Sequence, residues 1–229
     1  MKSANQLSQQ LLLAMKMQEA PEELMAELAA FPLNKLKAEL VNDDYKKAFW
    51  INIYNAWFLI LRKLRKLEKA TIYTDKGILV AGEALSLDDV EHGILRRYRY
   101  KFSLGYLPNL FAASLIKKLA ASAIDHRIHF ALNCGAVSCP PIAFYDPTNI
   151  EQQLDMASRS FLESETTIDS GKGVIHVSRI LLWYLGDFGG NRGIRKMLSS
   201  IFNKDFYGYT IVSKPYDWTE ALDNFSDNW

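Results

Sequence analysis

The sequence predicts an α+β fold. The expected arrangement is a single globular domain of interleaved helices and short strands around a small mixed or antiparallel sheet, with a helical N-terminal extension over residues 1–45 packed on a main body over residues 46–229. Three observations carry this. Apolar residues recur at helical spacing along several stretches, short β-branched runs are bracketed by glycine-containing turns, and the two kinds of segment alternate without a repeat or linker between them. With 229 residues, 49% apolar and 23% charged, the chain can bury one sizeable core, and no second core is expected.

Leu7, Leu11 and Met15 stand at steps of four within residues 4–30, and Pro21 breaks the run, so one or two amphipathic helices open the chain. They also offer a face for a protein partner. Asp43 and Asp44 supply the acidic start of a long helix over 43–69, in which Phe49, Ile53, Trp57, Ile60 and Leu64 recur at helical spacing. Residues 71–74 and 78–81 flank Asp75-Lys76-Gly77 as a small hairpin. Ser86 and Asp89 form a Ser-x-x-Asp helix start, giving a helix over 87–98, and Pro108 with Asn109 precedes another over 110–122. The alternation of Ile128, Phe130 and Leu132 predicts a strand over 128–133. Thr148 and Glu151 suggest a second capping box and a helix to about residue 163. A hairpin of 166–169 and 174–177 turns through Ser170-Gly171-Lys172-Gly173, Ser178 caps a short helix to 185, Gly189-Gly190 interrupts, a helix covers 194–202, and a last strand covers 207–213.

The charge balance narrows the partners. Net charge is +1, from 27 basic and 26 acidic residues, so no global field collects nucleic acid or an anionic membrane, and neither is expected as a partner. The longest apolar stretch, residues 49–61, is interrupted by Asn52 and Asn55 and is too short to span a bilayer. Together with the lack of a leader pattern at the start, this predicts a cytoplasmic protein, in which Cys134 and Cys139 would be free thiols. The basic run from Arg96 to Lys101, interleaved with Tyr98, Tyr100 and Phe102, resembles a nucleic-acid surface in pattern only, because no supporting motif accompanies it.

The chemistry-bearing candidates gather around residues 133–141, where Asn133, Cys134, Ser138 and Cys139 sit among Gly135, Pro140 and Pro141. One reading makes Cys134 a thiolate nucleophile. His92, beside Glu91, is then the first candidate base and His129 the second, with Asn52, Asn55 or Asp187 as orienting groups, and Cys139 packs to hold the loop. A metal site built on the two cysteines has no supporting spacing, a redox pair lacks the usual two-residue separation, and two structural cysteines remain the plain alternative. Asn52 and Asn55, three apart on an apolar helix, need hydrogen-bond partners from a neighbouring loop. No phosphate-binding glycine loop, His-Glu-x-x-His or Gly-x-Ser-x-Gly is present, and no cofactor is expected.

Three blocks then carry a resemblance: Trp50-x-Asn52-x-Tyr54-Asn55-Ala56; Leu87-x-Asp89-x-Glu91-His92-x-Ile94-Leu95-Arg96; and the run from Arg127 to Pro140 containing His129, Asn133-Cys134-Gly135-Ala136 and Ser138-Cys139. The chain resembles domain-of-unknown-function family 547 over roughly residues 46–218, with Trp183-Tyr184-x-x-Asp187-Phe188 and Tyr216-Asp217-Trp218 as later landmarks. The resemblance implies no activity. It singles out Asn52, Asn55, Glu91, His92, Arg96, His129, Cys134, Ser138 and Cys139 as residues whose chemistry exceeds packing. Two functions stay open: a thiol-dependent hydrolase or transferase acting on an unknown small molecule or peptide, or a non-catalytic binding module in which the same cluster is structural.

Overall fold

Helix α4 (Asp43–Leu59) is the axis of the computed structural model, which describes residues 2–226. Asn42 caps it by accepting the Tyr45 N–H at 3.1 Å, and Asp43 and Asp44 occupy its first turn, where the helix dipole favours negative charge. Every residue from Lys47 to Leu59 is buried, so the helix is enclosed on all sides. It widens into a π-turn (Ile60–Leu64) closed by Arg65 N–H to Ile60 O at 3.0 Å, which ends it short of residue 69.

Helix α1 (Ala4–Met17) lies along α4 and buries Leu7, Leu11, Leu12 and Met15. Helix α2 (Glu22–Ala29) starts after Pro21, and Pro32 opens a further helix, α3 (Leu33–Glu39), beyond the one or two expected. The first hairpin is displaced from its expected place. Strands β1 (Ile78–Val80) and β2 (Glu83–Leu85) pair across Ala81-Gly82, both left-handed, while residues 71–74 form a turn. The N–H groups of Ala81 and Gly82 donate to Leu28 O and Ala29 O, both at 2.8 Å, so the turn satisfies open carbonyls at the end of α2.

The second half builds a mixed sheet in the order β3 (Thr167–Asp169), β4 (Val174–Val177), β5 (Thr210–Ser213), with β3–β4 antiparallel as expected and β4–β5 parallel. Helix α6 (Ile150–Glu165) precedes it, and α7 (Ile180–Trp183) and α8 (Gly190–Phe202) make the crossover. The Thr148/Glu151 box does not form: Thr148 Oγ1 donates to Asp146, and Glu151 turns to Lys47 and Arg127.

Two apolar clusters, rather than one, fill the interior. The larger centres on α4 and the N-terminal helices; the smaller gathers Phe161, Leu162, Ile175, Leu181, Phe188, Ile194 and Leu198. The segment expected as a strand lies between them as a 3-10 turn (His126–Phe130) followed by a loop. Asp125 caps the turn by accepting Arg127 N–H at 3.1 Å. Ile128, Ala131 and Leu132 join the larger cluster while Phe130 joins the smaller, so the apparent alternation serves two cores instead of two faces of a sheet. Short helix α5 (Ser114–Leu119) covers less than the expected 110–122.

The two asparagines of α4 hold this arrangement. Asn52 exchanges hydrogen bonds with the backbone of Tyr145, at 2.8 and 3.0 Å, and Asn55 donates to Ala131 O at 2.9 Å while accepting Asn133 N–H at 3.0 Å. Both amides are fully buried. Asn55→Ala therefore leaves two enclosed backbone groups unpaired and should lower the unfolding free energy by roughly 2–3 kcal/mol. Urea denaturation with an unchanged slope checks this, and a loss below about 0.5 kcal/mol would contradict it.

Candidate functional site

The site begins on the segment after β2. Ser86 and Asp89 form the expected reciprocal cap, Asp89 N–H to Ser86 Oγ at 3.1 Å and Ser86 N–H to Asp89 Oδ2 at 2.8 Å. The cap opens a π-helical segment (Asp89–Leu95) rather than an α-helix, with Arg96 N–H donating to Glu91 O at 2.9 Å. Such wide turns recur at functional sites. Here Asp88, His92 and Arg96 form a stripe: His92 Nε2 lies 3.6 Å from Asp88 Oδ1, and Arg96 Nη1 lies 2.7 Å from His92 Nδ1. Because guanidinium only donates, Nδ1 is the accepting nitrogen of a neutral His92.

Arg96 is fully buried and meets the Asp187 carboxylate, which also has no exposed surface, Nε to Oδ2 at 2.6 Å and Nη2 to Oδ1 at 3.3 Å. Asp187 Oδ2 also accepts from His129 Nε2 at 2.9 Å. His129 stacks on Tyr184, ring centroids 3.8 Å apart, and the Arg96 guanidinium lies 4.6 Å from the Tyr184 centroid. Tyr184 in turn donates its hydroxyl to Glu91 Oε1 at 2.6 Å, and Tyr54 donates to Glu91 Oε2 at 3.3 Å. Gly105, at φ 90°, lets a neighbouring loop close on this cluster, since a Cβ there would come within 2.2 Å of Asp187 Oδ1.

The cysteine loop faces the same cluster. Cys134 and Cys139 are joined as a disulfide, which corrects the expectation of free thiols: their Cα atoms stand 6.0 Å apart, within bridging reach. Cys134 is half-buried and Cys139 buried. The Tyr216 hydroxyl lies 3.2 Å from one sulfur and 3.1 Å from the other, and a bonded sulfur can only accept from it. No imidazole hydrogen-bonds to either sulfur among the described residues, so the expected thiol–imidazole couple is not formed in this state. Asn133 braces the loop by donating to Pro140 O at 2.7 Å and accepting Gly135 N–H at 2.6 Å. Ser138, a candidate for binding, ties the loop to the C-terminal segment instead, its Oγ accepting Asp217 N–H at 2.9 Å.

These elements enclose a two-tier cleft. The outer tier, about 510 Å³, is walled by Tyr73, Asp88, His92, Lys101, Trp183 and Trp218. The inner chamber, about 60 Å³, is lined by His129, Cys139 and Tyr216, and Tyr54, Glu91, Cys134, Trp183 and Tyr184 border both. His92 thus faces the outer tier and His129 the inner. A separate hollow of about 580 Å³ beside His126 and Lys196 contains none of the candidate residues. Asn52 and Asn55 line neither tier and act as anchors for the loop.

Protonation follows the contacts. Burial opposes charge on Glu91, but His92, the Tyr184 hydroxyl and Arg96 outweigh it and hold the carboxyl below its usual range. Asp187 is likewise held low, against burial, by the hydrogen bonds from His129 and Arg96. Burial pushes Tyr184 and Tyr54 well up, with the Glu91 charge adding to it. Sequence reasoning missed the roles of Tyr54, Tyr184 and Tyr216. Tyr184 and Asp187, three apart after a helix start, were the signal that could have found the second of them.

Residues 38–162 match the family described as "Protein of unknown function, DUF547". The match starts earlier and ends sooner than the resemblance drawn from the motifs, leaving Tyr184, Asp187 and Tyr216 outside it. No curated protein and no solved structure matches the chain.

Acid sensitivity follows from the imidazoles. Burial lowers His92, His126 and His129 from 6.5; Arg96 assists at His92 and His129, and Glu91 and Asp187 respectively oppose it. The unfolded chain therefore takes up these protons first as pH falls, so stability is full above about pH 7 and declines below about 6.5 toward the folded-state values. Urea midpoints should drop between about pH 7 and 5, a window above the carboxylate titrations, and His92→Gln with His129→Gln should flatten the slope. A midpoint that stays level or rises over that window defeats the argument.

Proposed function

The chain belongs to the DUF547 family, whose description carries no activity, and from the site itself we propose that the protein is a thiol-dependent acyl hydrolase or transferase that works with the Cys134–Cys139 bond open. The observation that carries this reading is that Cys134 and His129 line one chamber while His129 Nε2 is engaged by Asp187 at 2.9 Å. Nε2 then bears the ring proton, Nδ1 is the acceptor of the neutral imidazole, and Asp187, neutralised by Arg96, orients the ring.

In this scheme an external thiol reductant supplies two electrons and two protons and is itself oxidised to a disulfide, leaving Cys134 and Cys139 as thiols. His129 Nδ1 takes the Cys134 proton as the sulfur attacks the carbonyl carbon of an ester, thioester or amide. The bond to the leaving group breaks, and that group departs with the proton returned by His129. Water, or another acceptor nucleophile, then gives its proton to His129, displaces the acyl group from sulfur and regenerates the thiol. Glu91, with its two tyrosine partners, sits where the outer tier meets the chamber and would contact a polar part of the substrate.

A second reading is favoured by one observation of its own. The bonded sulfurs, both contacted by the Tyr216 hydroxyl, form a clasp across the floor of the cleft, as a non-catalytic binding module would use. Reactivity separates the two. After phosphine reduction, Cys134 should be alkylated by iodoacetamide at pH 7 at least about tenfold faster than a peptide cysteine, and His129→Gln should slow it. Cys134→Ser should remove that labelling with little loss of stability, whereas Cys139→Ser should mainly destabilise. Peptide-like rates unaffected by His129→Gln, in reduced protein that keeps its circular dichroism, leave only the binding module.

A further inference from the structure

Directly after the π-helical segment the chain forms a loop with several exposed side chains. Arg97 and Tyr98, both left-handed at φ 50° and 49°, turn it outward. A bridge between Arg99 and Pro108 and a hydrogen bond from Tyr100 N–H to Leu107 O at 2.9 Å pair the two arms of the loop. The turn between these pairs is tied back to the body, since Gly186 N–H donates to Leu104 O at 2.7 Å and Gly105 packs against Asp187. The outer part is apolar. Phe111 is 97% exposed, Phe102 78%, Leu110 72% and Leu107 62%, with Tyr100, Leu104 and Tyr106 near half. Single exposed apolar side chains are ordinary, but a continuous group of this kind marks an interaction surface.

The charge around it is as uneven as the polarity. Arg97, Arg99, Lys101, Lys117 and Lys118 fall between residues 97 and 124, and that stretch contains no aspartate or glutamate, in a chain whose net charge is only +1. Lys101 reaches back to Asp88, and Lys117 donates to Leu110 O, while Arg97 and Lys118 are exposed. The whole-chain balance gave no reason to expect a membrane partner; the local distribution does. No helix among the described residues is long and apolar enough to cross a bilayer, so any such contact is peripheral.

We propose that residues 97–118 form a docking surface for an anionic phospholipid bilayer, with Phe102, Leu107, Leu110 and Phe111 entering the headgroup boundary and the flanking cations meeting lipid phosphates and carboxylates. Aromatic and leucine side chains rimmed by lysine and arginine are the chemistry that such an interface rewards. Nucleic acid would reward the cations and the rings but not the leucines, which have no face on which a base can stack. Lys101 lines the outer tier of the cleft, so docking sets the cleft mouth beside the lipid surface. This inference does not depend on the proposed thiol chemistry.

The test is co-sedimentation of the full chain with vesicles of phosphatidylcholine alone or with about a third phosphatidylserine, near physiological salt. The chain should bind the anionic vesicles and not the neutral ones. Phe102→Ser/Leu110→Ser/Phe111→Ser and Lys117→Glu/Lys118→Glu, each with unchanged circular dichroism, should reduce the bound fraction at least about tenfold. Absence of binding to anionic vesicles overturns the proposal, as does binding that survives the serine substitutions. So does tighter binding to a single-stranded RNA that the glutamate pair abolishes and the serine set leaves intact, which would assign the surface to nucleic acid. A dimer in solution that the serine substitutions dissociate would assign it to a second copy of the chain.

Discussion

A guanidinium with no exposed surface is the constraint on which the rest of this structure depends. Arg96 cannot leave its charge unpaired in the interior, and Asp187 answers it with two contacts. The partners come from different parts of the chain, one ending the π-helical segment beside the larger apolar cluster, the other adjoining Phe188 of the smaller cluster. The pair therefore works as a fastening between two cores that apolar contact alone would not hold in one register. Removing one partner of such a pair typically costs about 3–5 kcal/mol, because the other stays buried and uncompensated. Positioning follows from the same requirement: Asp187 has a remaining lone pair for His129, and Arg96 has a remaining donor for His92.

A second level of polar structure lies on α4. Asn52 and Asn55 each give a donor and an acceptor to backbone, so that two irregular stretches, around Tyr145 and around Ala131 to Asn133, are held as firmly as a sheet would hold them. The chain can thus keep non-repetitive backbone next to a buried helix without leaving its groups unsatisfied. Asn133 extends this into the cysteine loop, and Gly135, at φ 71°, has room only for a hydrogen, since a Cβ would meet the Phe58 ring at 2.7 Å.

Much of this was legible in the sequence where the signal is local. The cap at Ser86, the hairpin through Gly171 and Gly173, and the need of Asn52 and Asn55 for loop partners all follow from residue chemistry within a few positions. The misreadings have separate causes. Ile128, Phe130 and Leu132 alternate as a strand would, but the alternation arises from a 3-10 turn serving two cores, and one sequence does not announce where a second core begins. Leu87 to Tyr98 reads as an α-helix because a π-turn has no composition of its own; the backbone bonds from Arg96 N–H to Glu91 O and from Tyr98 N–H to Gly93 O reveal it. The sequence singled out Glu91, His92, His129, Cys134 and Asp187 by residue type, yet the pairing among them was not legible, because it runs through Arg96 and Tyr184 across long separations.

The disulfide sits at the edge of this construction rather than at its foundation. His129 is fixed by Asp187, Tyr184 and Phe188, whereas the hydrogen bonds to the sulfurs come from Tyr216 and the Cys134 backbone. The cysteine loop has restraints of its own: Asn133 to Pro140 and Gly135, Val137 N–H to Thr219 O at 2.9 Å, and Ala221 N–H to Gly135 O at 2.8 Å. A loop pinned at both ends and along its length gains less from a short cross-link than a free one, since the link constrains mainly the unfolded chain and the span enclosed is only five residues in separation. Opening the bond would therefore alter the chemistry on the chamber floor while leaving the imidazole, its carboxylate and the loop backbone where they are. On the thiol reading proposed above, what holds the site is thus separate from the sulfurs that would react in it.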